Sequence, residues 1–296
     1  MTLEHLGILL GFFGAACQAA NYAFTKDCQQ KFSLNGIRLL LAVHAFMGIM
    51  MLVPFIIFRH YQYLNPETLK LIVILICPYL LGQYFSNRAI ALSDSSIVSP
   101  LLTIKIPIMA LIAFIVLGEN YNPHQLIAIA VIMGLGFYFS SLSGKLRLGP
   151  FVCVAGCCIC YCISDLMMVV FMRHLEEHFG VTSRTEQILA GLTYEYVFCF
   201  LPALPLLAFR RINIHPHEIW QSKWVGTAWI LSMVGIIGCF NLAGVVEGNI
   251  VQSLRSVIGV LIAYLFYRRY IKDPGTFQKK LYITAAMFSA VILYYL

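Results

Sequence analysis

Apolar residues in this chain come in long runs broken by short polar segments such as "YLNPET", "GENYNPH", "SGKLRLG" and "IKDPGTF". Runs of about 20 residues match the length at which a helix crosses the hydrocarbon core of a bilayer. Turn formers and charges gather between them, as expected where the backbone returns to water. The pattern predicts ten spanning helices, at 6–24, 36–58, 69–92, 95–117, 124–142, 149–172, 187–209, 224–246, 250–267 and 276–296, with longer connections only after the sixth and seventh. The alternating ten-residue segments of an outer-membrane barrel are missing, so the predicted fold class is all-α, a polytopic membrane helix bundle.

Composition sharpens this picture. The chain has 296 residues, 60% hydrophobic and 11% charged, with a mean hydropathy of +0.82, whereas soluble domains carry about 25% charged residues. The spans leave no room for a soluble domain. "MTLEH" precedes the first run without the basic residues of a removable signal, and "GAAC" ending at Cys17 lacks the basic start of a lipoprotein signal, so both read as ordinary helix.

The two halves repeat. "GQYFSNRAIALSDSSIV" superposes on "GIIGCFNLAGVVEGNIV", bringing Gly82 onto Gly235, Asp94 onto Glu247 and Ile97-Val98 onto Ile250-Val251, and the same register carries "SIVSPLLTIKI" onto "NIVQSLRSVIG". Gly7 and Gly14 meet Gly149 and Gly156 in a second register. The predicted units are 1–146 and 147–296, each crossing the membrane an odd number of times. Two such copies must lie upside down relative to each other, which is the inverted-repeat plan of secondary transporters.

With "NYAFTK" closing the first span, "P(x)6P…GE" in the fourth and the Gly-bearing "AVIMGLGFYF" in the fifth, the chain resembles the drug/metabolite transporter superfamily, in its ten-helix EamA-like branch. The second copy departs from the pattern, with Val260 where Pro107 maps and Lys272 where Glu119 maps. The resemblance implies a carrier of small metabolites such as amino acids in a bacterial inner membrane. It also implies a central cavity lined by spans one, three, four, six, eight and nine.

Charges inside spans carry the functional signal. Lys105 lies near the middle of the fourth span between Pro100 and Pro107, where an ammonium costs about 2.5–3.5 kcal/mol on insertion scales. The two prolines remove amide donors, so this helix is expected to bend and to line a cavity. Asp165, Glu195 and Arg255 fall at similar depth, and Arg88 lies toward the opposite face. Three cations against two acids leave a surplus cation, which invites an anionic or zwitterionic ligand at Lys105 and Arg255. The other reading is that the charges pair and hold helices together. Asp165 and Glu195 are also the candidates to carry a coupling proton.

Polar residues at cavity depth join the candidate substrate site: Gln18, Asn21, Tyr22, Gln83, Tyr84, Asn87, Tyr161, Asn241 and Gln252. Each read singly makes an interhelical hydrogen bond; together they suit a polar metabolite. His44 is expected to pack against a neighbouring helix. "CCICYC" places its thiols on one helix with no His, and Gly149, Cys153, Gly156, Cys160 and Ser164 form a small-residue packing face, so neither metal nor cofactor is expected.

Most of the 20 lysines and arginines lie in loops after odd-numbered spans, whereas even-numbered loops hold only Arg59, Lys70, Arg173 and Arg184. The positive-inside rule then puts both termini outside, against the orientation that the resemblance implies. The net charge of +7 reflects this topology and anionic lipid, not nucleic acid. The expected partners are a small-molecule substrate and the lipid bilayer, with proton coupling open and a monomer expected, a dimer left open. The reading favoured is a secondary transporter, an exporter or exchanger. The alternatives are an intramembrane enzyme acting on lipid-linked substrate, for which "HExxH" and "GxSxG" are missing, and a passive channel.

Overall fold

The computed structural model describes residues 2–93, 98, 101–143, 148–201, 214–255, 257–259 and 274–295. Asp94, Pro100 and Lys272, and the predicted span segments 202–209 and 260–267, lie outside these. About 90% of the described residues are helical and none is in a strand. The helices are α1 (Leu3–Phe32), α2 (Gly36–Ile57), α3 (Pro66–Leu92), α4 (Lys105–Leu117), α5 (Pro123–Ser143), α6 (Leu148–Phe179), α7 (Arg184–Phe200), α8 (Pro216–Gln221), α9 (Lys223–Leu242), α10 (Val245–Ser253) and α11 (Pro274–Tyr295). Six are long and apolar enough to cross a membrane: Leu3–Phe32, Gly36–Ile57, Pro66–Leu92, Pro123–Leu142, Leu148–Phe179 and Lys223–Leu242. The protein is an integral, multi-pass membrane protein.

Several helices outrun the apolar pattern, because good helix formers at their ends read as loop by hydropathy alone. α1 continues past the predicted Phe24 to Phe32, supported by an Asp27–Lys31 pair one turn apart at 2.9 Å. α6 continues through "RHLEEHF" and stops where Gly180 adopts φ +67°, a conformation that favours glycine. The long connection expected after the sixth span is therefore only Gly180 to Ser183, and Ser183 caps α7. α3 opens on Asn65, whose side chain accepts from the Thr68 amide at 2.7 Å, with Pro66 in the first position.

Two discontinuities stand out. A single 3-10 turn, Leu102–Ile104, precedes α4, so that Lys105 is the first residue of a new helix and Pro107 sits in its first turn, where a missing amide hydrogen costs little. The second lies between α9 and α10 at Ala243-Gly244, with Gly244 at φ +117°. This is earlier than the loop the sequence pattern places after Val246.

The most extensive helix pairs are α1 with α9, α3 with α6, α2 with α7, and α5 with α11; α4 also packs on α10. α1 and α9 meet backbone to backbone. A Cβ built on Gly235 would lie 2.4 Å from the Leu10 carbonyl, and one on Gly14 would lie 2.8 Å from the Ser232 carbonyl. In lipid, where burial gives helices little mutual attraction, such close approach supplies the dispersion contacts that hold them. Of the predicted small-residue face on α6, Gly156 packs on the Phe85 ring and Cys153 and Ser164 are buried.

Polar contacts sort the loops to two ends. At one, Lys26 donates to the Ile90 carbonyl at 3.2 Å and Arg38 pairs with Glu218. At the other, His60 is fully buried, with Nδ1 2.6 Å from Thr193 Oγ1 and Nε2 3.2 Å from Glu186 Oε1, and its carbonyl accepts from the Tyr194 hydroxyl at 2.7 Å. The C-terminal ends of α1 and α3 and the short α8 thus share one end, and the connections after α2 and α6 the other.

Candidate functional site

The break before α4 delivers Lys105 into the bundle with 4% of its surface exposed. Its Nζ lies 2.5 Å from Asp165 Oδ2 on α6 and 3.2 Å from Gln252 Oε1 on α10, and 5.5 Å from the centre of the Tyr161 ring. An ammonium has three donors, and these neighbours surround it. Asn249 donates to the same Asp165 oxygen at 3.2 Å and to the Val245 carbonyl at 2.8 Å. The backbone at the break is met by thiols: Cys158 donates to the Leu102 carbonyl at 3.9 Å and Cys162 to the Lys105 carbonyl at 3.4 Å. Two cysteines of "CCICYC" therefore support the broken helix.

Arg255 follows the end of α10 and is 3% exposed. Its Nη1 donates to Gln18 Oε1 at 3.2 Å and to the Gln252 carbonyl at 3.5 Å, its guanidinium lies 6.0 Å from the centre of the Tyr22 ring, and its buried Nε has no partner among the described residues. No carboxylate among the described residues lies within ion-pair distance of it. Glu195 on α7, 1% exposed, is its counterpart: Oε2 is buried with no partner, and no hydrogen bond reaches the carboxylate among the described residues.

Two small cavities, each about 20 Å³, open between these helices. The inner one is lined by Gln18, Lys105, Tyr161, Asp165, Glu195 and Gln252, together with Tyr79 and Trp229. The other lies toward the end that holds Lys26 and Arg38 and is lined by Asn21, Tyr22, His44, Gln83, Asn87 and again Trp229. Tyr79, Tyr161 and Trp229 form a mutually contacting aromatic layer between the two, with ring centres 6.4–6.5 Å apart. Asn21 is held to the Val225 carbonyl at 2.8 Å, Gln83 donates to the Tyr79 hydroxyl at 3.2 Å, and the buried Tyr22 hydroxyl has no hydrogen-bond partner among the described residues.

The structure thus collects most of the residues singled out from sequence around two adjacent cavities. Tyr84 and Asn241 are elsewhere. Tyr84 accepts from Arg88 at 3.1 Å on an exposed side of α3, and Asn241 donates to Gln187 at 2.7 Å and to Met172. Sequence reasoning passed over Asn249, Tyr79 and Trp229. Asn249 had a signal, since it lies three residues before Gln252 and so shares its helix face. For the two aromatics no polar or spacing signal was present.

This geometry, a bundle with buried charges around a polar centre, meets its relatives at this point. Residues 5–142 match the EamA-like transporter family. The resemblance to the drug/metabolite transporter superfamily therefore holds over the EamA-like half, which is the pattern of a membrane transporter of the drug/metabolite type; the second half lies outside the matched segment. One solved crystal structure of a protein superposes with a TM-score of 0.60 at 13% sequence identity, covering 98% of this chain and 96% of that one. At that identity it speaks for the fold, which extends beyond the EamA-like half over nearly the whole chain. No curated protein matches.

Proposed function

We propose that the protein is a secondary transporter, an exporter or exchanger, of small anionic or zwitterionic metabolites such as amino acids, working by alternating access around the inner cavity. The observation that carries this reading is the buried Arg255 guanidinium beside a polar cavity, held by amide oxygen and an aromatic ring with an unused Nε. A cation in that setting gains from an anionic group that water and lipid do not supply. Lys105, which touches the same Gln252 as Arg255, and its partner Asp165 offer complementary charges, which suits the two ends of a zwitterion. Glu195, buried and unpaired on the same cavity wall, is the carboxyl best placed to carry a coupling proton.

Two features support inverted repeats spanning 1–146 and 147–296. The pairs α1–α9 and α3–α6 exchange if the halves are interchanged, while α2–α7 and α5–α11 map onto themselves. Both breaks beside the cations, at Leu102 and at Leu254, fall at matching positions of the two halves. With cavities of only about 20 Å³, room for little more than a water molecule each, a metabolite enters when helices separate. Charge bias favours both termini outside, in a bacterial inner membrane.

The test is a thermal-shift screen of the purified protein against amino acids, organic acids and phosphorylated metabolites. A true ligand at 100 times its Kd adds about 2.7 kcal/mol of stability. Hits are then measured for counterflow in liposomes with and without a pH gradient. Ligand-dependent exchange supports the reading, and loss of the gradient response in Glu195→Gln with exchange retained supports the proton role. Turnover of a lipid substrate without vectorial movement would defeat both.

A further inference from the structure

We propose that Glu67, His174 and His178 form a binding site for one divalent transition-metal ion of the zinc class, at the rim that carries the connections after α2 and α6. His174 and His178 are four residues apart on α6 and so share a face, with ring centres 4.3 Å apart. Glu67 stands in the first turn of α3, fixed there by the Asn65 cap and Pro66. One ligand atom from each of the three lies within 4.8 Å of the others. Zinc takes imidazole nitrogen and carboxylate oxygen at about 2.0–2.2 Å, which sets tetrahedral donors about 3.5 Å apart. The set is therefore slightly open, and the two exposed side chains, His178 and Glu67, need only small rotations to close it.

Three details favour a metal over a simple ion pair. His178 Nε2 and Glu67 Oε2 are 3.9 Å apart, beyond hydrogen-bonding distance, so the pair is not closed on itself. His174 is buried and its ring is held in place, with Nε2 3.1 Å from the Thr68 hydroxyl and the Phe179 ring edge-on at 5.8 Å, which is the outer-shell support that ligating imidazoles have. The two imidazoles lie with ring centres 4.3 Å apart on one helix face, near enough for both to reach one ion. Two nitrogens and one carboxylate oxygen leave a fourth position for water. The ion would fasten the start of α3 to the end of α6, helices already packed along their length.

The experiment uses full-length, tag-free protein in detergent after EDTA dialysis, titrated with Co2+ and then competed with Zn2+. The expected result is one Co2+ per chain with visible ligand-field bands of a nitrogen/oxygen site, displaced by Zn2+, and a raised unfolding temperature in Zn2+. Glu67→Gln and His178→Gln, both at exposed positions, should each weaken Zn2+ binding at least about tenfold while leaving the metal-free unfolding temperature unchanged. Absence of saturable binding, or undiminished affinity in either variant, overturns the site.

Discussion

Lys105 and Arg255 are two buried cations within reach of the same glutamine, yet they are held in opposite ways. Lys105, at the break in the first half, is matched by Asp165, which is steadied in turn by Asn249. Arg255, at the break in the second half, faces Gln18 and the Tyr22 ring and no carboxylate among the described residues. A matched pair in low dielectric is a lock, since removing either partner strands the other charge. A cation satisfied only by neutral groups tolerates removal and retains capacity for an incoming anion. The third cation counted from sequence, Arg88, lies on the exposed side of α3; of the two buried cations, Arg255 is the one with no carboxylate within ion-pair distance among the described residues.

The largest effect follows for the lock. Lys105→Met leaves Asp165 buried without its counter-charge and should lower stability by about 3–5 kcal/mol, whereas Lys105→Met with Asp165→Asn should recover most of the loss. Unfolding of the single and double variants in detergent checks this; equal damage in both would dissolve the contrast between the two cations. Arg255→Met comes next. It removes two hydrogen bonds to neutral oxygens, at Gln18 and at the Gln252 carbonyl, and also relieves a buried charge, so stability should change by about 1 kcal/mol, while the stabilisation by any ligand found in the thermal-shift screen should disappear. A ligand shift of undiminished size in Arg255→Met would move the binding role to Lys105.

The smallest effect serves as a control at the rim. Burial holds the His60 imidazole below its usual value, against the opposing pull of Glu186. A histidine depressed on folding is protonated more readily in the unfolded chain, so its contribution is present above the free imidazole's range and is lost as pH falls through it. Stability should therefore sag modestly between about pH 7 and 5, and His60→Gln should flatten that part of the curve. A sag that persists in His60→Gln would show that His60 is not its source.

Six of the spans, the bend before Lys105 and the gathering of Lys105, Asp165, Glu195, Arg255 and Gln252 were legible as hydropathy, proline placement and depth. Depth counted from helix ends says nothing of which way a side chain points around its helix. That is why the Lys105–Asp165 pairing stayed open and why Tyr84, at the same depth as Gln83, turned out to face Arg88. Hydropathy also hid the polar continuations of α1 and α6, where "TKDCQQKF" and "RHLEEHF" are helical without being apolar. The aromatic layer escaped notice because a buried Tyr or Trp looks the same in sequence whether it fills a core or divides two cavities.

The backbone contact between α1 and α9 has a mechanical consequence. With Gly14 and Gly235 leaving no side chain between the two strands of backbone, the pair has no compressible layer and resists both shear and separation. Such a seam can serve as an axle on which other helices tilt. Any widening of the 20 Å³ cavities to the size of a metabolite must then come from α4, α6, α7 and α10 swinging about it, so distance probes placed across α1 and α9 should stay still while those across α4 and α7 move.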